Sequence, residues 1–314
     1  MRVVYGHTDS IYVQLPMEKA EETLEELNEH VRNIFPNLLG LENHPVKLEF
    51  EKYYKSLGVG ATKNRNAGLI SWKDGEYLSE PEFVMTGFTA KRMSITPLEK
   101  EVQLKILRMW VDGCPKEEID EYCNNIWNRT VNGEIWLKQV CKRSRYRSNR
   151  FKTQCECGKE YSFKRLIEIH AKTAIQRRNV GFKNASKIQP ICDKCGTSVS
   201  EFTTTKGKKI TIGSGIEGVL AYNNNNENDI VDSYVYIKTN DYSGLSYIHP
   251  ITGNLTKSNW LSAPSIKELL DVEPDWSHYA NTIVKKAEPI YNAMEWDTIA
   301  ISRDASQSTL DEWW

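Results

Sequence analysis

An α+β fold in two parts is what this 314-residue sequence predicts, and three observations carry the prediction. Short β-branched and aromatic segments, several with two-residue alternation, dominate the first 90 residues. Three- and four-residue helical spacing takes over after Pro97. Two close cysteine pairs then interrupt the second half. A chain of this length suits two domains, or one domain with insertions.

The elements follow in order. Residues 2–5 and 10–15 are apolar and β-prone around a polar turn, which reads as a hairpin. No encoded strand precedes it, so the chain is expected to begin inside a larger sheet. Met17, Ala20, Leu24, Leu27, Val31 and Ile34 recur at helical spacing with acids opposite. They predict a helix over 17–34 that Pro36 ends. Strands are expected over 46–54, 56–60 and 83–88. Residues 69–72 and 76–78 pair across an Asp74-Gly75 turn. Helices are expected over 98–111, over 116–127 after Pro115, and over 133–141 and 163–179. Segments 207–221 and 230–249 are strand-like, and the Asn-rich run between them reads as a solvated loop. A last helix covers 276–295, kinked or split by Pro289. No internal repeat is visible.

Composition excludes several classes. Apolar residues are 39% of the chain, which predicts a modest core and a large wet surface. Nine Trp, fifteen Tyr and eight Phe exclude wholesale disorder. No run of eighteen apolar residues exists, so no membrane-spanning helix is expected. Residues 1–15 lack the apolar core of a signal peptide. The net charge of −1 hides a segregation. Lys138 to Lys187 holds fifteen basic and three acidic residues, or +12, which leaves −13 for the rest. Lys142, Arg143, Arg145, Arg147 and Arg150 lie in its acid-free part, interleaved with aromatics. A solvated face is the plain reading of such a run. Bases without compensating acids favour a surface that binds a polyanion.

Cys155-Glu-Cys157-Gly158 and Cys192-Asp-Lys-Cys195-Gly196 form two turns that offer four thiolates. Four thiolates at such spacing make a tetrahedral Zn²⁺ site, with an insertion of about 153–197 around it. Two unrelated pairs of free thiols are the alternative. Cys114, Cys123 and Cys141 lie on or near apolar helix faces and are expected in the core.

Tyr5-Gly6-His7-Thr8-Asp9-Ser10 sits between two apolar strands. It resembles motif C of the family B DNA polymerases, usually Tyr-Gly-Asp-Thr-Asp-Ser. A tight hairpin turn can fix a carboxylate on a sheet, as two-metal phosphoryl transfer requires. An ordinary turn aspartate is the alternative for Asp9. The segment Lys47 to Lys55 resembles the family's Leu-Glu-x-Glu-Lys-x-Tyr strand. Ala61 to Ala67 resembles its Thr-Lys-Lys-Arg-Tyr-Ala segment, and Thr86 to Arg92 the segment ending the palm. The likeness is strong over 1–95 and weaker over 96–297.

The resemblance implies a late palm over 1–95, a thumb with the zinc insertion over 96–297, and a flexible tail over 298–314. It implies that His7, Thr8 and Asp9 are catalytic and that Asp9 binds Mg²⁺ in a two-metal site. It implies primer and template contacts from Lys63, Arg65, Lys91 and Arg92. Three departures stand out: His7 for the first aspartate of the motif, Asn66 for a tyrosine and Met93 for an aspartate. The sequence contains neither motif A nor an exonuclease. The chain is therefore expected to be inactive alone and to join a larger partner that carries both. An archaeal-type small subunit of a split polymerase is the reading adopted. A truncated gene, a viral relative, and an inactive polymerase-derived protein that binds DNA and a clamp stay open. The expected partners are primer–template DNA, deoxynucleoside triphosphates and a sliding clamp, in the cytoplasm at the nucleoid and without a membrane.

Gln307, Leu310, Trp313 and Trp314 match the clamp-binding box, Gln-x-x-aliphatic-x-x-aromatic-aromatic. An aliphatic plug and two aromatics from one turn can fill a pocket. A tail folded back onto its own domain is the alternative.

Overall fold

The computed structural model describes residues 2–7, 9–92, 95–145, 151–162, 192–197, 203–204, 217–219, 221–222, 233–240, 246–248 and 255–299. The chain divides into two compact units. Unit one comprises 1–89, 103–123 and 286–300, and unit two comprises 90–102, 124–285 and 301–314. Among the described residues no helix is long and apolar enough to cross a membrane.

Unit one begins with the expected hairpin, β1 (Arg2–Gly6) against β2 (Ile11–Gln14), with a bulge between Val3 and Tyr5. A single 3-10 turn at Met17–Lys19 leads into α1 (Ala20–Ile34). Then β3 (Lys52–Val59), β4 (Asn66–Lys73) and β5 (Glu76–Thr86) form an antiparallel sheet in that order. Asp74 and Gly75 both have positive φ, 53° and 91°, as the tight turn between β4 and β5 demands. The separate strand expected over 83–88 is the second half of β5. Residues 46–51, expected as strand, are not. The buried Asn28 amide donates to the Leu48 carbonyl at 3.0 Å and accepts the Leu48 N–H at 2.8 Å. Both backbone groups of Leu48 are thereby satisfied without a ladder.

Buried apolar residues of unit one include Ala67, Leu69 and Ile70 of β4 and Ile106, Leu107 and Val111 of α2 (Pro97–Asp112). Helix α3 (Lys116–Val131) adds Ile119 and Cys123. Gly58 leaves space that the Trp110 indole fills, and any Cβ there would meet the ring. Gly87 is more constrained. Its φ is +75°, and a Cβ would overlap the Asn64 carbonyl oxygen, which is rigid backbone. Gly87→Ala is expected to cost about 2–4 kcal/mol. A urea unfolding midpoint within error of the parent would contradict that.

In unit two, α3 ends beyond its expected limit. Gly133 at φ 72° donates to the Thr130 carbonyl, and Glu134 N–H reaches back to Arg129. The stop takes Gly133 and Glu134 out of the helix expected over 133–141, which is one turn, α4 (Leu137–Val140), bounded by extended backbone at Trp136 and Cys141. Strands β6 (Lys142–Arg145), β10 (Ser233–Lys238) and β13 (Trp260–Ala263) make a sheet in the order β13-β10-β6. Cys141, Ile237, Ala263 and Leu269 form a buried cluster beside it. A smaller sheet pairs β7 (Phe151–Gln154) with β8 (Glu160–Ser162) and β9 (Thr203–Thr204). Two short strands, β11 (Ser246–Ile248) and β12 (Leu255–Lys257), pair with each other.

Part of the strand expected over 207–221 is helical where described, at 217–219 and 221. The helix expected over 163–179 and the Asn-rich loop lie outside the described residues. Pro289 does split the last helix, into α5 (Trp276–Val284) and α6 (Glu288–Met294). Cys123 and Cys141 are buried as expected, while Cys114 is only half-buried.

Asp275 caps α5 through His278 N–H at 2.9 Å and pairs with Lys238 Nζ at 2.6 Å. Burial works to raise its carboxyl pKa, but the Lys238 hydrogen bond and the His278 N–H outweigh it and hold the pKa below the ordinary carboxylate value. A depressed folded pKa gives stability that is present above the unfolded value, about 3.9, and lost as pH falls through the lower folded one. Asp275→Asn is therefore expected to flatten the acid limb of stability. Urea midpoints taken from pH 7 to pH 3 check this, and parallel curves for parent and variant would refute it.

Candidate functional site

In the β1–β2 turn, His7 and Asp9 are exposed and Ser10 is half-buried. His7 N–H donates to the Ser10 carbonyl at 2.8 Å and closes the turn. His7 Nδ1 lies 3.8 Å from an Asp9 carboxylate oxygen, and the Asp9 side chain is 90% exposed. An exposed carboxylate on a closed turn is free to ligate a hard cation. One carboxylate does not clamp two metals, which need several oxygen donors around them. Among the described residues, the one gathering of three or more metal-ligating side chains lies elsewhere, at the cysteines. Thr8 lies outside the described residues.

Aromatic contacts carry the hairpin on the rest of unit one. Tyr5 meets Tyr12 edge-on at 5.3 Å, and Tyr12 meets Tyr54 of β3 at 5.9 Å. The Tyr5 hydroxyl donates to Asn64 at 3.1 Å, in the turn between β3 and β4. That turn also carries Lys63, which is exposed, and Arg65, half-buried. Gly60 N–H donates to the Arg65 carbonyl at 2.7 Å, fixing the turn at its base. Sequence reasoning singled out Lys63 and Arg65 and missed Asn64. Its φ of 61° and its place two residues before β4 mark a left-handed corner. Between β2, α1 and residues 47–57 opens a cleft of about 1130 Å³, whose lining includes Asp9, Tyr12, Leu24 and Tyr53.

The remaining basic candidates belong to unit two. Lys91 ends a 3-10 turn over Thr89–Lys91, and both Lys91 and Arg92 are exposed. Lys142 and Arg143 start β6, where Arg143 pairs with Val235 and Arg145 with Ser233. Lys142 Nζ lies 3.4 Å from the buried Glu99 carboxylate and 5.8 Å from the Trp260 ring centre. That contact makes Lys142 a structural cation as well as a candidate phosphate ligand. Arg143 is exposed. Arg147, Arg150 and Met93 lie outside the described residues, as does the segment 307–314.

The four cysteines do converge. Their sulfur atoms lie within 4.8 Å of one another, with Cys155–Cys195 at 3.4 Å and Cys157–Cys192 at 3.7 Å. Tetrahedral coordination with Zn–S bonds of about 2.3 Å needs sulfurs about 3.8 Å apart, so the set fits zinc. Each pair sits in a matching turn. Gly158 N–H donates to the Cys155 carbonyl and Gly196 N–H to the Cys192 carbonyl, both glycines at positive φ.

Electrostatics of the free thiols tell the same story. Burial pushes Cys192 up, but the Tyr161 hydroxyl and the Lys194 and Cys195 N–H groups outweigh it, down to about 6. Thr197 lowers Cys195. At Cys155 the Cys157 N–H favours the thiolate, yet burial and three neighbouring sulfurs prevail and raise it to about 12. Four thiolates this close need a cation among them. Sequence reasoning missed Tyr161. Its buried hydroxyl lies 2.9 Å from Cys192 Sγ and also within hydrogen-bond reach of the Asp193 carboxylate, so one proton is shared between two acceptors, and it accepts Asp193 N–H at 3.1 Å. Lys159 holds the same carboxylate at 2.6 Å. The aromatic position on β8, six residues after Cys155, was the available signal.

The family model for DNA polymerase family B matches residues 1–189. The chain is also similar to the DNA polymerase zeta catalytic subunit of Schizosaccharomyces pombe (strain 972 / ATCC 24843), 25% identical over 155 residues. That match covers 48% of this chain and 10% of the yeast protein. With Asp9 on its hairpin turn and a family match across 189 of 314 residues, the chain belongs to DNA polymerase family B.

Proposed function

We propose that this chain supplies the late palm (1–95), thumb (96–297) and tail (298–314) of a DNA-directed DNA polymerase whose motif A and exonuclease lie on a larger partner chain. The observation that supports it best is Asp9, exposed on a closed hairpin turn within the family match. The thin burial of β1 and β2 also suits a sheet completed by other strands. Mg²⁺ shared with the partner's carboxylates would polarise the nucleotide phosphates and the primer 3′-hydroxyl. Asp9 would hold a metal, with Thr8 and His7 shaping the turn. Lys63, Arg65, Lys91 and Arg92 would hold primer and template phosphates. Lys142, Arg143, Arg145, Arg147 and Arg150 would track the duplex without reading sequence. Zn²⁺ on Cys155, Cys157, Cys192 and Cys195 would stiffen the thumb. Gln307, Leu310, Trp313 and Trp314 would tether a sliding clamp. The archaeal split-subunit type and a cytoplasmic, nucleoid-associated place belong to the same reading.

The phosphate role has a direct test. Arg143→Ala with Arg145→Ala is expected to weaken duplex binding about tenfold at low salt and to reduce the salt slope by about two. Fluorescence anisotropy across 50–200 mM salt measures both. An unchanged slope would remove this strand from the DNA surface. A C-terminal peptide that fails to bind a purified clamp by calorimetry would remove the tether.

A second reading has its own observation. His7 places an imidazole where the family motif has a carboxylate, 3.8 Å from Asp9. That favours a catalytically inactive relative that binds DNA and a clamp. Primer extension by the complete complex separates the two.

A further inference from the structure

Two turns of unit one carry candidate residues, and a hydrogen bond joins them. Asp9 sits in the β1–β2 turn, while Lys63 and Arg65 flank Asn64 in the β3–β4 turn. The Tyr5 hydroxyl donates to the Asn64 side-chain oxygen at 3.1 Å, across 59 residues of sequence. Tyr5 stands next to the end of β1, so the bond reaches the hairpin near its turn. The base is held separately, where the Tyr53 hydroxyl donates to the Leu15 carbonyl at 3.3 Å. Val3, Val4 and Ile11 are exposed. A hairpin that buries so little depends on such ties for its placement.

Backbone irregularities fix both ends of the bond. Val3 pairs with Val13, so a regular ladder would set Tyr5 opposite Ile11, but the bulge sets it opposite Tyr12. Directly opposite residues share a face of the sheet. The two rings meet edge-on at 5.3 Å, and Tyr12 meets Tyr54 of β3 at 5.9 Å. Bulges beside functional sites re-aim side chains, and this one sets Tyr5 on the face that meets β3. At the other end, Asn64 has left-handed backbone at φ 61°. Its carbonyl oxygen lies where a Cβ on Gly87 would overlap it. Gly60 N–H holds the neighbouring Arg65 carbonyl, and Asn66 pairs with both Val59 and Thr86. The acceptor is thus carried on clamped backbone.

Phosphoryl transfer needs the metal and the primer phosphates in one geometry, and a misplacement of about 1 Å can cost about 100-fold in rate. We propose that Tyr5 is a positioning residue, whose bond to Asn64 holds the Asp9 turn in register with Lys63 and Arg65. Its role in the reaction rests on the polymerase reading above, whereas the link between the turns does not.

The test has two arms. The first uses the full chain alone and follows amide hydrogen exchange by NMR at His7 N–H in one turn and Gly60 N–H in the other, both hydrogen-bonded. Tyr5→Phe removes the hydroxyl and keeps the ring against Tyr12. It is expected to speed exchange at both amides about fivefold, and to add nothing in an Asn64→Ala background. Equal rates in parent and Tyr5→Phe would overturn the link. The second arm is primer extension by the complete complex. Tyr5→Phe is expected to lower kcat about tenfold, with primer–template Kd within about twofold of the parent, because Lys63 and Arg65 keep their charges. Added Mg²⁺ should not restore the rate, because Asp9 keeps its carboxylate. A bond that only stabilised the fold would lower the thermal midpoint and leave kcat at the parent value. Faster exchange at both turns with unchanged kcat would therefore overturn the positioning role. A parent complex that extends no primer would sink the polymerase reading and the role in the reaction with it, while the exchange arm still decides the link.

Discussion

Replacing Cys192 with serine is expected to abolish tight zinc binding and to unfold the small sheet around the site. The physical reason is the shortness of the strands described there. Strands β7, β8 and β9 have four, three and two residues. Such strands bury too little to hold themselves together. In small zinc modules the metal contributes on the order of 10–16 kcal/mol at neutral pH, and that energy is folding energy. The parent chain should hold one zinc by elemental analysis. Cys192→Ser should lose most of it at equal protein concentration, while Cys123→Ser, at a buried thiol far along the sequence, should keep it. Tyr161→Phe deletes the hydroxyl beside Cys192 and should lower zinc affinity about 10–100-fold without deleting the site. A parent chain free of zinc after purification without chelators would refute the assignment.

Asp9→Ala is expected to lower primer extension by the complete polymerase complex about 1000-fold. A lost metal ligand removes several kcal/mol of transition-state stabilisation, and about 4 kcal/mol corresponds to three decades in rate. Binding of primer–template should change little, because Asp9 carries no phosphate contact in this account. His7→Asp should act in the opposite sense on metal dependence. It adds a carboxylate beside Asp9 in place of an imidazole, and the Mg²⁺ concentration for half-maximal rate should fall. Extension that survives Asp9→Ala would remove Asp9 from the chemistry.

Much of unit one was legible in the sequence, because its signals are local. The Asp74-Gly75 turn, the α1 periodicity and the Pro289 break each depend on a few neighbouring residues, and each appears where expected. Residues 46–51 were not legible as non-strand, because the cause is Asn28, twenty residues away in sequence at Leu48. The glycine stop at Gly133 was local, yet the apolar spacing beyond it masked it. The two cysteine pairs stood out by spacing alone, and their sulfurs do converge. Tyr161 did not, since only the fold brings a β8 hydroxyl against Cys192.

The proposed reading is that this chain carries one side of a metal site that another polypeptide completes. Primer extension with purified components tests it most directly. A radiolabelled primer–template, Mg²⁺ and deoxynucleoside triphosphates are incubated with the chain alone, and again after adding a family B polypeptide that carries motif A and ends before motif C. The account predicts no extension by the chain alone and extension by the pair that Asp9→Ala abolishes. Extension by the chain alone, or a pair that binds primer–template and stays inert at every Mg²⁺ concentration, would contradict it.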